Sequence, residues 1–273
     1  MINTEPLRCG LSCAVIGRFD REVILQYAEA GISSIETALP FINYFAHDWK
    51  ELKRFADDAG VELWSVHLPF GGENNMFNIA DKSFCADTVR ADERIIVRAG
   101  EAGMRAAVIH PNTGDIDVKE RGKQFETAVK SLEKLVAIGR REGVMIAAEV
   151  LPRENLGWCI TEMKALADAV PGLKICMDVN HIIEYPPDDF VRAFGDKIIT
   201  VHMSDNDMTR ERHWMPGDGK IDWKNIIRLL KSINYTGPFM YELDGEEFGR
   251  FGLKGIKQNY DGFIKGIIEE IYK

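Results

Sequence analysis

Short apolar runs alternate with longer stretches of helical periodicity from one end of the chain to the other. The runs at 7–16, 33–39, 61–68, 106–110, 145–151, 173–179, 198–203 and 238–243 predict strands. Between them, apolar residues recurring every three to four positions predict helices at 20–30, 48–59, 83–102, 119–142, 161–169, 188–194, 222–233 and 254–272. Punctuation supports the boundaries. Asp20 stands at the start of one helical pattern, and Gly31, Gly60, Gly103, Gly143 and Gly195 stand just past the ends of others. A side-chain acceptor satisfies the free N–H groups of a first turn, and glycine tolerates the left-handed residue that stops a helix.

Eight strand–helix alternations imply parallel strands, because each helix returns the chain to the same end of the sheet. An open doubly wound sheet is the alternative. No GxGxxG turn follows the first strand, which argues against a nucleotide-binding version of it. Eight units in 273 residues fit a closed (β/α)8 TIM barrel. No linker or low-complexity tract divides the chain, so a single domain over 1–273 is expected.

Composition narrows the function classes. No apolar run approaches the roughly 18 residues of a membrane span. The first ten residues carry no basic segment followed by an apolar core, so no secretory signal is expected. Lys and Arg number 34 against 43 Asp and Glu, a net charge of −9. Such a surface repels phosphate backbones and argues against a nucleic-acid partner. The five cysteines are scattered without a CxxC pair, which fits buried free thiols in a reducing cytoplasm better than disulfides or a zinc ribbon.

In a parallel barrel, chemistry collects where the strands end. The third to eighth strands run into His67, His110, Glu149, Asp178, His202 and Glu242. Similar depth in each strand would set these side chains in one layer. Three carboxylates converging there repel one another unless a cation neutralises them. Glu149, Asp178, His202 and Glu242 therefore suit one divalent ion, with Mn²⁺, Co²⁺, Mg²⁺ and Zn²⁺ all compatible with the mixed oxygen and nitrogen donors. His181 follows Asp178 by three residues and could orient a substrate or bind a second metal. His67 and His110, each close before a proline, could be ligands, substrate hydrogen-bonders or satisfied core histidines. His213, Gly217 and Gly219 either shape a rim loop beside a substrate or only form turns.

The segments VHLP (66–69), IHP (109–111), AEV (148–150), MDVNH (177–181), VHMSDND (201–207), HWMPGDGKIDW (213–223) and YEL (241–243) together resemble the xylose-isomerase-like TIM-barrel superfamily. That superfamily holds sugar isomerases and epimerases together with metal-dependent apurinic endonucleases. The resemblance implies Glu149, Asp178, His202 and Glu242 as metal ligands. In the ketose 3-epimerase branch, it implies Glu149 and Glu242 as the acid/base pair on opposite faces of a sugar. His181 matches a substrate-contacting histidine, and the stretch bearing Arg153 and Glu154 resembles a substrate-binding segment that is one residue longer in the epimerases. Six residues after His202 the epimerases carry an arginine where this chain has Met208, followed by an insertion with Arg210 and Arg212.

The endonuclease branch implies three zinc ions on His67, His110, Glu149, Asp178, His181, His202, Glu211, His213 and Glu242. The aromatic loop 40–49 contains no Lys or Arg, which suits a lid over a small polyol better than a DNA-penetrating loop. The expected activity is isomerisation or epimerisation of a sugar, keto-sugar or related polyol through an enediolate. His67, His110, Arg153, Glu154, His181 and His213 are the expected substrate contacts. A lyase or dehydratase on the same chemistry is the alternative, followed by the zinc nuclease. A homo-oligomer, with a neighbour completing the lid, stays open.

Overall fold

The computed structural model describes residues 5–114, 116–152 and 155–273. Eight parallel strands form one sheet: β1 (Cys9–Ser12), β2 (Ser34–Ala38), β3 (Glu62–His67), β4 (Ala106–Ile109), β5 (Met145–Glu149), β6 (Lys174–Asp178), β7 (Ile198–His202) and β8 (Phe239–Tyr241). Their order is β7-β6-β5-β4-β3-β2-β1-β8, and β1 pairs with both β2 and β8. The ring closes between β7 and β8. The Met203 N–H donates to the Met240 carbonyl at 2.8 Å, and the Glu242 N–H donates to the Met203 carbonyl at 3.3 Å. This pairing rules out the open doubly wound sheet.

The helices between the strands are α1 (Arg21–Ala30), α2 (Trp49–Asp58), α3 (Cys85–Glu101), α4 (Arg121–Glu142), α5 (Ile160–Ala169), α6 (Pro187–Phe194) and α7 (Trp223–Ser232). Asp20, Asp48 and Asp222 cap α1, α2 and α7, each accepting from backbone N–H groups of the first turn. Gly143 ends α4 with φ of 75°, a conformation glycine adopts without a Cβ clash. The main apolar core lies between sheet and helices, and a smaller cluster of Val108, Ala147 and Cys176 forms a separate patch against Ile199. Below, Arg8 is buried against the Trp64 ring, pairs with Glu62 and donates to the Thr236 carbonyl at 3.0 Å.

Two elements differ from the sequence expectation. The first strand is only Cys9–Ser12, because a short 3-10 turn takes over at Cys13. The last helical region carries an earlier segment ahead of the expected start at 254: α8 (Gly245–Asn259) is broken at Gly252, whose φ of 59° and ψ of −177° are not helical, and a π-turn at Tyr260–Ile264 and α9 (Lys265–Tyr272) follow. Its glycine-rich opening weakens the periodic signal, but the Asp244 side chain accepts from Glu247 N and nucleates the turn. No helix among the described residues is long and apolar enough to cross a membrane.

Candidate functional site

Glu149, Asp178 and His202 are the last residues of β5, β6 and β7, and Glu242 follows β8 directly. Asp178 pairs in register with His202, and Glu149 with Cys176, so parallel pairing holds the strand ends at one level. Donor atoms of Glu149, Asp178, His202 and Glu242 all lie within 4.8 Å of one another. The His202 Nδ1 is 3.2 Å from Glu242 Oε2, 3.6 Å from Glu149 Oε1 and 3.9 Å from Asp178 Oδ2.

The four residues fit a divalent cation on one further observation. Asp178 Oδ2 and His202 Nδ1 are buried and form no hydrogen bond of good geometry among the described residues, His202 Nδ1 having only the Glu242 carboxylate oxygen at 3.2 Å as a close neighbour. His181 Nδ1 comes within 3.1 Å of Asp178 Oδ2, but its hydrogen bond goes to the Val150 carbonyl at 3.0 Å. Buried polar atoms left unmatched are expensive, and here two of them face the same carboxylate pair. Three oxygens and one imidazole nitrogen match the donor preferences of Mn²⁺, Co²⁺, Mg²⁺ or Zn²⁺.

Histidines surround the carboxylates. The His67 Nε2–H donates to Glu149 Oε2 at 3.0 Å while its Nδ1–H donates to the Leu68 carbonyl at 2.9 Å. Two acceptors call for an imidazolium, and although burial opposes the charge, the Glu149 hydrogen bond and carboxylate field carry the His67 pKa upward. His110 Nε2 is 3.2 Å from the same oxygen, yet burial dominates there and lowers its pKa. Burial also opposes charge on His181, but Asp178 and Glu149 raise it to about 10. Asp178 itself is pushed up to about 7, first by burial and then by Glu242 and Glu149, against the pull of His181. Glu149 is held well below the usual carboxylate range because its histidines outweigh its burial.

His67, His110 and Glu149 also bring donor atoms within 4.8 Å as a second group. A cavity of about 340 Å³ opens over both groups, with His67, His110, Glu149, His181, His213 and Glu242 on its walls. The His213 Nδ1–H donates to the Glu242 carbonyl at 3.1 Å. His181 Nε2 lies 3.9 Å from Glu211 Oε2. Arg153 and Glu154 fall outside the described residues. Met208 is 42% exposed with φ of 61°, and Arg212 pairs with Asp207 at 2.5 Å and covers Trp214. Neither Met208 nor Arg212 lines the cavity.

The loop 40–49 is not the lid its composition suggested. Tyr44 and Trp49 are each 1% exposed. The Tyr44 hydroxyl reaches the Thr37 carbonyl and the His67 carbonyl at 3.2 and 3.0 Å, bracing the end of β3. Phe41 and Phe45 pack under Arg94. The aromatic ring over the cavity is Phe70, 53% exposed and stacked on His110 with ring centres 4.0 Å apart. Asn112, buried and tied to Asn155 and Leu156, lines the same cavity. Another residue the sequence reading passed over is Glu36 on β2, fully buried, whose carboxylate accepts from His202 Nε2. A glutamate inside the otherwise uncharged strand SIETA was the available signal.

An uncharacterized protein of Sinorhizobium fredii is 26% identical over 214 residues, 70% of this chain and 69% of that protein. In fold, the chain is similar to a D-tagatose 3-epimerase-like protein, with a TM-score of 0.81 at 21% identity over 97% of this chain and 100% of that one. It is likewise similar to L-ribulose 3-epimerase, with a TM-score of 0.78 at 19% identity over 97% and 95% of the two chains. Closed barrel, rim chemistry and a family match over residues 24–265 agree, and the chain belongs to the family described as Xylose isomerase-like TIM barrel.

Proposed function

We propose that the protein is a divalent-metal-dependent isomerase or epimerase of a sugar, keto-sugar or related polyol, with Glu149 and Glu242 as its acid/base pair. The observation that carries this reading is the pairing of Asp178 Oδ2 and His202 Nδ1, buried and unmatched, with two glutamates that both line one cavity. Epimerases among the structures of similar fold support the same substrate class.

When bound by Glu149, Asp178, His202 and Glu242, a divalent cation supplies Lewis-acid polarisation that acidifies the C–H beside a substrate carbonyl. One glutamate takes that proton, and the pair can then act in opposite directions. Return of a proton to the same carbon by the other glutamate inverts its configuration. Return at the neighbouring carbon interchanges aldose and ketose. His67 and His110 hold Glu149 Oε2, leaving Oε1 toward His202. His181 and His213 stand on the cavity wall to donate to substrate oxygens. The stacked Phe70 and His110 rings offer an apolar face to the C–H side of a polyol and limit water there.

Proton exchange into D2O, followed by NMR over a panel that includes D-tagatose and L-ribulose with Mn²⁺ present, tests the reading. Deuterium should enter at the carbon beside the carbonyl. Glu149→Gln and Glu242→Gln should each lower the rate by roughly two to four orders of magnitude with the fold intact. Full activity in either variant would remove that residue from the pair. Appearance of an unsaturated product would assign a lyase instead.

The second donor group, His67, His110 and Glu149, favours one further reading, a zinc-dependent apurinic endonuclease. Metal content separates the two: three tightly held zinc ions per chain favour the nuclease, one ion the isomerase.

A further inference from the structure

Glu36 lies on β2, with β3 and β4 between it and Glu149 on one side and β1 between it and β8 on the other. It is 0% exposed, and a buried carboxylate is expensive unless partners stabilise it. Its partners are specific. His202 Nε2 is 3.1 Å from Oε1 and 3.3 Å from Oε2, and the Ser65 hydroxyl donates to Oε2 at 2.8 Å.

Two irregularities in the sheet produce this arrangement. Between β2 and β3, Ile35 pairs with Leu63 but Glu36 pairs with Ser65, so Trp64 is an extra residue on β3. Between β6 and β7, Ile175 pairs with Ile198 but Cys176 pairs with Thr200, so Ile199 is extra on β7. An extra residue resets which way every later side chain on that strand faces. The first bulge sets Ser65 beside Glu36. The second fixes the phase of Thr200 and His202. The Trp64 Nε1–H then donates to Thr200 Oγ1 at 3.1 Å, tying the two bulged strands together across the barrel.

We infer that Glu36 is the positioning residue for His202, holding the proton on Nε2 so that the Nδ1 lone pair faces Glu149, Asp178 and Glu242. This rests on the metal reading of those four residues. A carboxylate accepting the far N–H of a ligating imidazole fixes its tautomer and ring orientation and raises its basicity. Ser65 holds Glu36 in turn. A merely structural ion pair would stabilise the barrel without affecting what Nδ1 binds.

The experiment compares wild type, Glu36→Gln and Ser65→Ala in two readouts. The first is the Mn²⁺ dissociation constant by calorimetry, with circular dichroism and melting temperature as controls. Glu36→Gln should weaken Mn²⁺ about 10- to 100-fold. Ser65→Ala, which never touches His202, should give a smaller loss in the same direction and covers the case of a poorly folded Glu36→Gln. The second readout is the ¹H resonance of His202 Nε2–H in ¹⁵N-histidine-labelled, Zn²⁺-loaded protein. It should be far downfield and protected from exchange in wild type, and should move upfield with faster exchange in Glu36→Gln. Wild type that binds Mn²⁺ beside variants with unchanged affinity and an unmoved resonance would overturn the role of Glu36 alone. Wild type that binds no Mn²⁺ would overturn the metal reading and this inference together.

Discussion

At the scale of single residues, the barrel tolerates buried charge only where something answers it. Around Glu149 the answer is four histidines, and around Glu36 it is one histidine and one hydroxyl. Asp92 on α3 is the exception. It is 0% exposed, and neither carboxylate oxygen has a hydrogen-bond partner among the described residues. Burial alone pushes its pKa well above the usual carboxylate value. The linkage then has a definite sign. The folded protein holds a proton that the unfolded chain has released, so stability is present below the ordinary carboxylate range and is lost as pH rises toward the folded pKa. Each unit of that window is worth about 1.4 kcal/mol. Asp92→Asn removes the titration. It should therefore raise the melting temperature at pH 7, with the gain shrinking as pH falls toward 4. Equal stability of variant and wild type at pH 7 would show that Asp92 is answered after all.

At the scale of elements, the site depends on how closely helices approach strand ends. Gly139 on α4 shows this. A Cβ there would meet the Val144 carbonyl oxygen at 2.3 Å and Ile146 side-chain atoms at 3.1 Å. The same carbonyl belongs to the turn that feeds β5, whose last residue is Glu149. Gly139→Ala should destabilise the protein by about 1–3 kcal/mol, seen in chemical denaturation, because backbone has to move. A neutral effect would mean that α4 and β5 can slide apart freely. The sequence foretold most elements because cap and periodicity agreed, as at Asp20, Asp48 and Asp222. It foretold the part of α8 beyond the break at Gly252 and missed the part before it, where Gly245 and Gly249 dilute the helical signal and the Asp244 cap starts the turn. Aromatic content misled at 40–49, where Tyr44 and Trp49 serve the core. Nothing in residue type alone separates a core aromatic from a lid. The bulges at Trp64 and Ile199 leave no mark in composition either, so the role of Glu36 beside Ser65 emerged only from register.

At the scale of the whole molecule, eight parallel strands bring together residues spread from His67 to Glu242. The candidate site was legible in the sequence because the third to eighth strands each ran into an ionisable residue, and parallel topology has only one end at which those residues can meet. What lay outside that logic was the cavity wall. Phe70 and Asn112 sit in βα loops, where no periodicity fixes direction. In the proposed reaction Glu149, Asp178, His202 and Glu242 hold one divalent ion while the two glutamates bracket a substrate carbon. The decisive measurement is a crystal structure grown with Mn²⁺ and soaked with a ketose, phased on the manganese anomalous signal. The expected result is a manganese peak about 2.0–2.2 Å from donor atoms of Glu149, Asp178, His202 and Glu242, with carboxylate oxygens of Glu149 and Glu242 on opposite faces of one carbon. Absence of that peak, or both glutamates on the same face of the sugar, would contradict it.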